Sequence, residues 1–178
     1  SLAASDIDRD GDLDFYVCFY KDFGEESENY VPIPDDILQA NNGVANQLWI
    51  NQGDGTFREE GSKRGVADKG WSFAASFADY DNDGDPDLSV ANDFGQNRLY
   101  RNRGEGTFED VTASSGATDA GFGMGISWGD VDGDGRLDQY VSNMYSTAGN
   151  RLLSAEDEPR LHKMARGNTL LRNRKEGT

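Results

Sequence analysis

Fourteen of the 33 acidic side chains in this 178-residue chain fall in three short segments. They are Asp6, Asp8, Asp10, Asp12 and Asp14; Asp79, Asp81, Asp83, Asp85 and Asp87; and Asp130, Asp132, Asp134 and Asp138, with Arg136 in place of a fifth acid. All three obey Asp-x-Asp-x-Asp-Gly-x-x-Asp. The first, third and fifth side chains project into one turn, and Gly11, Gly84 and Gly135 at the sixth position permit a bend that a Cβ would obstruct. Hard oxygens packed this closely suit calcium, which takes about six to eight of them at roughly 2.3–2.6 Å. The seventh position is Asp12, Asp85 and then Arg136. Its indifference to side chain is what a ligand acting through its backbone carbonyl predicts. The ninth returns to aspartate at Asp14, Asp87 and Asp138. Without a cation, four or five carboxylates within ~10 Å repel one another even at physiological screening. The segments therefore predict about three calcium ions, one per loop.

The same spacing opens an EF-hand, which needs a glutamate at the twelfth position and a helix running through it. That position is Val17, Val90 and Val141, inside runs such as Phe15-Tyr-Val-Cys-Phe-Tyr20. The loops therefore join strands.

Other candidates for chemistry are weaker. Gly125-Ile-Ser127-Trp-Gly129 matches the spacing of a nucleophile elbow, which requires a strand turning sharply into a helix. Here the serine lies within an alternating strand pattern, and the chain has a single histidine, His162, in a charged insertion. No serine-hydrolase chemistry is expected. Cys18 stands where the other copies have Ala91 and Ser142, a small-residue position suited to a buried thiol. Trp49, Trp71 and Trp128 occupy strand positions and are expected in the core. Beyond the calcium sets, no two carboxylates stand out as a glycosidase pair. The expectation is a protein without catalytic residues.

The elements that position these loops repeat along the chain. Asn46-Gln-Leu-Trp-Ile-Asn51 recurs as Asn97-Arg-Leu-Tyr-Arg-Asn102 and Asn168-Thr-Leu-Leu-Arg-Asn173, and Gly53-Asp-Gly-Thr-Phe57 recurs as Gly104-Glu-Gly-Thr-Phe108. From Asn46 to Asp130 the register holds at 51 residues without a gap. Trp71, Phe73, Ala75 and Phe77 alternate with small residues, as do Phe122, Met124, Ile126 and Trp128, which marks a strand before each acidic loop. A second strand follows the loop at Phe15–Tyr20, Leu88–Asn92 and Gln139–Asn143. The Asn-x-Leu segments form a third, and Thr56 and Thr107 begin a fourth. Four short strands in a unit of this length are the signature of a propeller blade.

The expected fold is therefore all-β: four-stranded antiparallel blades, about 2.7 of them, against the roughly 4–8 of a closed propeller. Residues 1–69 form blade one, with an insertion at about 21–45. Residues 70–120 form blade two, and 121–178 a truncated blade three with an insertion at about 145–167. Both insertions fall between second and third strands, on the face opposite the acidic loops. The first carries Tyr20, Phe23, Tyr30 and Val31-Pro-Ile-Pro34. The second carries Leu152, Leu153, Leu161 and Met164 and suggests a short helix near its end. Long loops on a rigid scaffold are where recognition concentrates.

Composition narrows the partners. A net charge of −16 opposes nucleic-acid binding through a basic face, and no apolar run approaches a membrane span. One cysteine and one histidine leave no disulfide framework and too few soft ligands for a typical zinc site.

Taken together, Trp-Gly-Asp-x-Asp-x-Asp-Gly-x-x-Asp and Asn-x-Leu-x-x-Asn-x-Gly-x-Gly-Thr-Phe resemble the FG-GAP/VCBS repeats. These build integrin-α-type propellers and occur in cartilage-acidic-protein-like and bacterial secreted proteins. The resemblance implies a calcium-bearing propeller, usually seven-bladed, with Asp6, Asp8, Asp10 and Asp14 and their counterparts as ligands. It implies a secreted or cell-surface module that binds a protein or carbohydrate ligand and packs against the remaining blades of a longer chain. A propeller attached to a secreted carbohydrate-active enzyme and a structural repeat of a surface layer are the alternatives. Two departures, Lys175 for the first turn glycine and a Phe-Gly pair kept only as Phe122-Gly123, touch no ligand.

Overall fold

Alternating strands separated by Gly- and Asp-rich turns give three antiparallel sheets in the computed structural model, which describes residues 1–20, 34, 36–144 and 167–174. The first sheet runs β1 (Leu2–Ser5), β2 (Asp14–Val17), β3 (Gln47–Asn51) and β4 (Phe57–Glu59). The second runs β5 (Ser72–Ala78), β6 (Asp87–Asn92), β7 (Arg98–Asn102) and β8 (Phe108–Asp110), and the third β9 (Gly123–Gly129), β10 (Asp138–Asn143) and β11 (Thr169–Leu171). Each strand pairs with its neighbour in sequence. These are propeller blades, as the repeat predicts. A one-turn helix, α1 (Gly61–Arg64), leaves the first sheet and ends at Gly65 in the left-handed region, φ 86°.

The first two sheets face each other across an apolar core of Ile7, Leu48, Ile50, Val66, Leu88 and Tyr100, backed by Ala75 and Phe77. Cys18 is buried in it, and burial pushes its thiol pKa up, as expected of a structural thiol. Trp71 is buried, whereas Trp49 and Trp128 are only half-buried. Ser127 lies mid-strand opposite Tyr140, so the elbow spacing has no elbow behind it.

One expectation fails in detail. The alternation Trp71, Phe73, Ala75, Phe77 breaks at Phe73, which is 47 % exposed. The cause is a bulge: Ser72 pairs with Asn92 and Ala74 with Ala91, leaving Phe73 without a partner residue. An extra residue in one strand turns the following side chains to the other face. The third sheet repeats the irregularity, with Asn143 opposite Gly123 and Ser142 opposite Gly125.

Adjacent sheets are joined by buried polar pairs one repeat apart. Asn92 Nδ2 donates to Asp68 at 3.0 Å, and Asn143 Nδ2 donates to Asp119 at 3.2 Å. Glycine makes room for each: a Cβ on Gly70 would lie 2.3 Å from the Asn92 amide, and one on Gly121 2.4 Å from that of Asn143. Asn92 is pinned by three partners, Asp68, Ser72 and the Gln96 carbonyl, so it cannot yield. Gly70→Ala is expected to cost about 2–4 kcal/mol through overpacking and broken buried hydrogen bonds. Urea unfolding checks this; a loss within ~0.5 kcal/mol would show that the pair is free to move.

At the end of the sheets away from the acidic loops, Tyr20, Trp71, Phe94 and Phe122 stack edge to face with centroids 5.0, 5.4 and 5.8 Å apart. The Tyr20 hydroxyl donates to buried Asp93 at 2.5 Å. Burial raises the Asp93 carboxyl above its ordinary range, and the Tyr20 hydrogen bond opposes it. The folded state therefore holds this proton more tightly than the unfolded chain. The group's contribution to stability is complete below the unfolded value of about 4 and is lost as pH rises through the raised folded value. In Asp93→Asn that loss disappears, so the stability difference should move in the variant's favour as pH rises above about 4. Denaturant midpoints across pH would detect it, and parallel curves would contradict it. The remaining features of the two insertions, Phe23, Tyr30, the Val31-to-Ile33 stretch, Leu152, Leu153, Leu161, His162, Met164 and the expected helix, lie outside the described residues, as does Lys175.

Candidate metal centres

Each acidic segment closes the turn between the first two strands of its sheet: residues 6–13, 79–86 and 130–137. The first-position carboxylate organises the turn from inside. Asp6 accepts the N–H groups of Asp10 and Gly11, both at 3.1 Å. Asp79 accepts those of Asp83 at 3.1 Å and Gly84 at 2.9 Å. Asp130 accepts three, from Gly133, Asp134 and Gly135, at 2.7–3.1 Å. Those three donors pull the Asp130 pKa below its ordinary value. The sixth-position glycines have φ of 96°, 92° and 84°, and the fourth residues, Arg9, Asn82 and Gly133, are left-handed too, at 60°, 60° and 76°. Asn and Gly accept that conformation readily; Arg9 does so at a cost of about 1–2 kcal/mol. It reaches across to Asp85 of the next sheet at 3.0 Å.

The ninth-position aspartates have a task that the motif alone does not reveal. Asp14, Asp87 and Asp138 are buried, and both oxygens of each are committed to backbone. Oδ2 accepts the N–H of Ile7 at 3.1 Å, Tyr80 at 3.1 Å and Val131 at 3.0 Å, respectively. Oδ1 accepts the N–H of Asn51, Asn102 and Asn173, each at 2.8 Å. The carboxylate thus clamps the loop to the end of the third strand. The asparagine it holds extends the link to the preceding blade: Asn102 Nδ2 donates to the Ile7 carbonyl at 2.9 Å and Asn173 Nδ2 to that of Tyr80 at 2.6 Å. Sequence reasoning used Asn51, Asn102 and Asn173 only as repeat markers. Their return at the same strand end beside an acidic loop was the signal for this latch.

Three sets of carboxylates converge, each offering oxygens within 4.8 Å of one another: Asp6, Asp8 and Asp10; Asp79, Asp81 and Asp87; Asp130, Asp132 and Asp138. Asp14, Asp83 and Asp134 belong to the same loops but not to these sets. Asp10, Asp83 and Asp134 accept the N–H of Asp12, Asp85 and Arg136 at 3.0, 2.9 and 3.0 Å. The seventh side chains turn elsewhere. Asp85 pairs with Arg9, while Arg136 pairs with Asp134 and donates to the Asn173 carbonyl at 3.2 Å. Arg64 lies 3.4 Å from Asp8, and Arg172 pairs with Asp132.

The donor set fits a hard divalent cation on two counts. Every converging atom is a carboxylate oxygen, and Asp8 Oδ1 is buried with no hydrogen-bond partner among the described residues. Electrostatics agree. Burial, and then neighbouring carboxylates, raise the pKa of Asp8 and Asp81. Burial likewise raises Asp14 and pushes Asp87 up to about 7 against its backbone hydrogen bonds. A bound cation would reverse that penalty by favouring the ionised form.

Comparison with known proteins gives a consistent picture. The model of the family described as FG-GAP-like repeat matches residues 35–90 and 79–141, together more than half of the chain. Among curated proteins, cartilage acidic protein 1 of Homo sapiens is 40 % identical over 58 residues, and that of Xenopus tropicalis is 36 % identical over 58. The matched segment is 32 % of this chain and 9 % of either relative, so the chain spans only a small part of their length. Among the described residues, no helix is long and apolar enough to cross a membrane.

Proposed function

The chain belongs to the FG-GAP-like repeat family, and on that footing we propose that it is part of a secreted or cell-surface, calcium-stabilised β-propeller. It serves as a binding, adhesion or scaffold module and not as an enzyme. Its acidic loops hold one structural calcium ion each. The ligands are the side chains of Asp6, Asp8, Asp10 and Asp14, of Asp79, Asp81, Asp83 and Asp87, and of Asp130, Asp132, Asp134 and Asp138. The backbone carbonyls of Asp12, Asp85 and Arg136 complete the sets. The observation that carries this reading is the convergence of three carboxylates in all three loops, with a buried oxygen of Asp8 left unpartnered.

Blades 1–69, 70–120 and 121–178 pack against the further blades of a longer, seven-bladed chain. A protein or carbohydrate ligand would be taken by the face carrying the two insertions. Extracellular calcium modules bind at roughly 10⁻⁴–10⁻³ M, so such loops fill outside the cell. Two relatives bear the name cartilage acidic protein, which supports the reading as an acidic module. Calorimetric titration of the chelator-stripped chain with calcium tests the reading. Saturation at about three ions is expected, one per loop; a chain that takes up none would overturn it.

A further inference from the structure

Arg64 ends the one-turn helix α1, and its side chain, only 14 % exposed, sits where the first sheet meets the second. Sterics deliver it there. A Cβ on Gly65 would lie 2.8 Å from the Phe108 carbonyl oxygen, so glycine lets the helix end approach β8 this closely. Each nitrogen of the guanidinium then has a different partner. Nε donates to Glu60 at 2.8 Å, Nη1 to the Glu105 carbonyl in the turn between β7 and β8 at 2.6 Å, and Nη2 to Asp8 Oδ2 at 3.4 Å. The turn of the second sheet makes room for this: a Cβ on Gly106 would lie 2.3 Å from Nη1.

Asp8 is the third-position carboxylate of the first acidic loop. Arg64 takes one of its oxygens, and the other, Oδ1, is buried with no hydrogen-bond partner among the described residues. An outer partner that holds one oxygen of a ligating carboxylate fixes where the other points, and losing such a partner costs about 10–100-fold in metal affinity. A guanidinium beside a cation site also repels the ion. Here buried Glu60 lies 2.8 Å from Arg64 and offsets much of its charge, so orientation outweighs repulsion. The third loop uses the same device from another element. Asp132 pairs with Arg172, which corresponds to Ile50 in the first sheet, whereas Arg64 corresponds to Ser115 in the second. An arginine thus reaches a third-position aspartate by two routes, which the repeat alone does not dictate.

Resting on the calcium reading above, we propose that Arg64 is a positioning residue for the calcium ion of the first loop. Through the Glu105 carbonyl it ties the affinity of that loop to the docking of the second sheet. The first loop is complete only with its neighbouring blade in place.

Calcium titration followed by the backbone amide NMR signals of Gly11 and Gly135 reads the first and third loops separately. Arg64→Met keeps an apolar stem and removes the guanidinium. It should weaken calcium binding at Gly11 about tenfold and leave the affinity at Gly135 within about twofold. Gly106→Ala keeps every loop carboxylate and the Arg64 charge, and drives Nη1 away from the turn. It should weaken binding at Gly11 severalfold, and add nothing in the Arg64→Met background, because both changes act through one side chain. Unchanged or tighter binding at Gly11 in Arg64→Met would overturn the proposal, tighter binding showing that repulsion dominates. So would unchanged affinity in Gly106→Ala, which also covers an Arg64→Met chain that does not fold. A further loss in the double variant would overturn the link to the second sheet, since Gly106 would then act through Ile7, whose Cδ1 its Cβ also meets at 3.0 Å. A wild-type chain whose Gly11 signal ignores calcium would instead overturn the calcium reading of that loop.

Discussion

Chelation of calcium should lower the melting temperature of this chain by about 10 °C or more. Each ion bound only to the folded state stabilises it by RT ln(1 + [L]/Kd), so three loops filled at about 20 times Kd contribute roughly 5 kcal/mol. For a chain of this size each kcal/mol is about 2–4 °C. The loops have reason to respond strongly. Their carboxylates converge within 4.8 Å, and Asp87, raised to about 7, sits buried in one set. In chelator, Asp87 favours its proton in the folded state, so its contribution is complete below about pH 4 and is lost as pH rises toward 7. Calcium reverses that preference, and the loaded protein should gain stability over the same window. Scanning calorimetry with and without chelator at pH 5 and pH 7 measures both effects. A melt indifferent to calcium at either pH would remove the structural role of the loops.

Asp87→Ala should be among the most damaging single changes in the chain, and Asp85→Ala one of the mildest, although both residues are aspartates in the same loop. Asp87 is buried and accepts the N–H of Tyr80 at 3.1 Å and of Asn102 at 2.8 Å. Truncating it strands one buried and one half-buried N–H donor, at up to about 1–3 kcal/mol each, and removes a carboxylate from the Asp79–Asp81–Asp87 set. A loss of about 3–5 kcal/mol is expected, together with one calcium ion fewer than the wild type. Asp87→Asn should recover part of the stability, because its remaining oxygen still accepts one N–H. Asp85 forms a partly exposed pair with Arg9 at 3.0 Å. Its truncation should cost at most ~1 kcal/mol and leave the calcium count unchanged, since only its backbone would face the ion. Equal losses in the two variants would contradict both the buried clamp and the backbone role of the seventh position.

These two aspartates also mark how far the sequence could be read. The acidic loops were legible because nine consecutive residues contain nearly everything that shapes them. Asp79 closes its turn on Asp83 and Gly84, and Gly84 alone meets the demand for a left-handed sixth residue. Strand order was legible for a related reason: each strand pairs with its neighbour in sequence. What failed was local in another way. The bulge at Phe73 is a feature of how β5 pairs with β6, and alternation alone could not locate it.

By itself, then, the sequence determined the repeat, the all-β blades and the three carboxylate loops, because those depend on spacing within one blade. Only the tertiary structure decided which residues work between blades. Asn102 reaches Ile7, 95 residues away, and Tyr20 finds Asp93, 73 residues away. Arg64 donates to the Glu105 carbonyl, 41 residues away. A 51-residue register states which positions correspond. Which of those positions meet across two sheets is decided only once the sheets have packed.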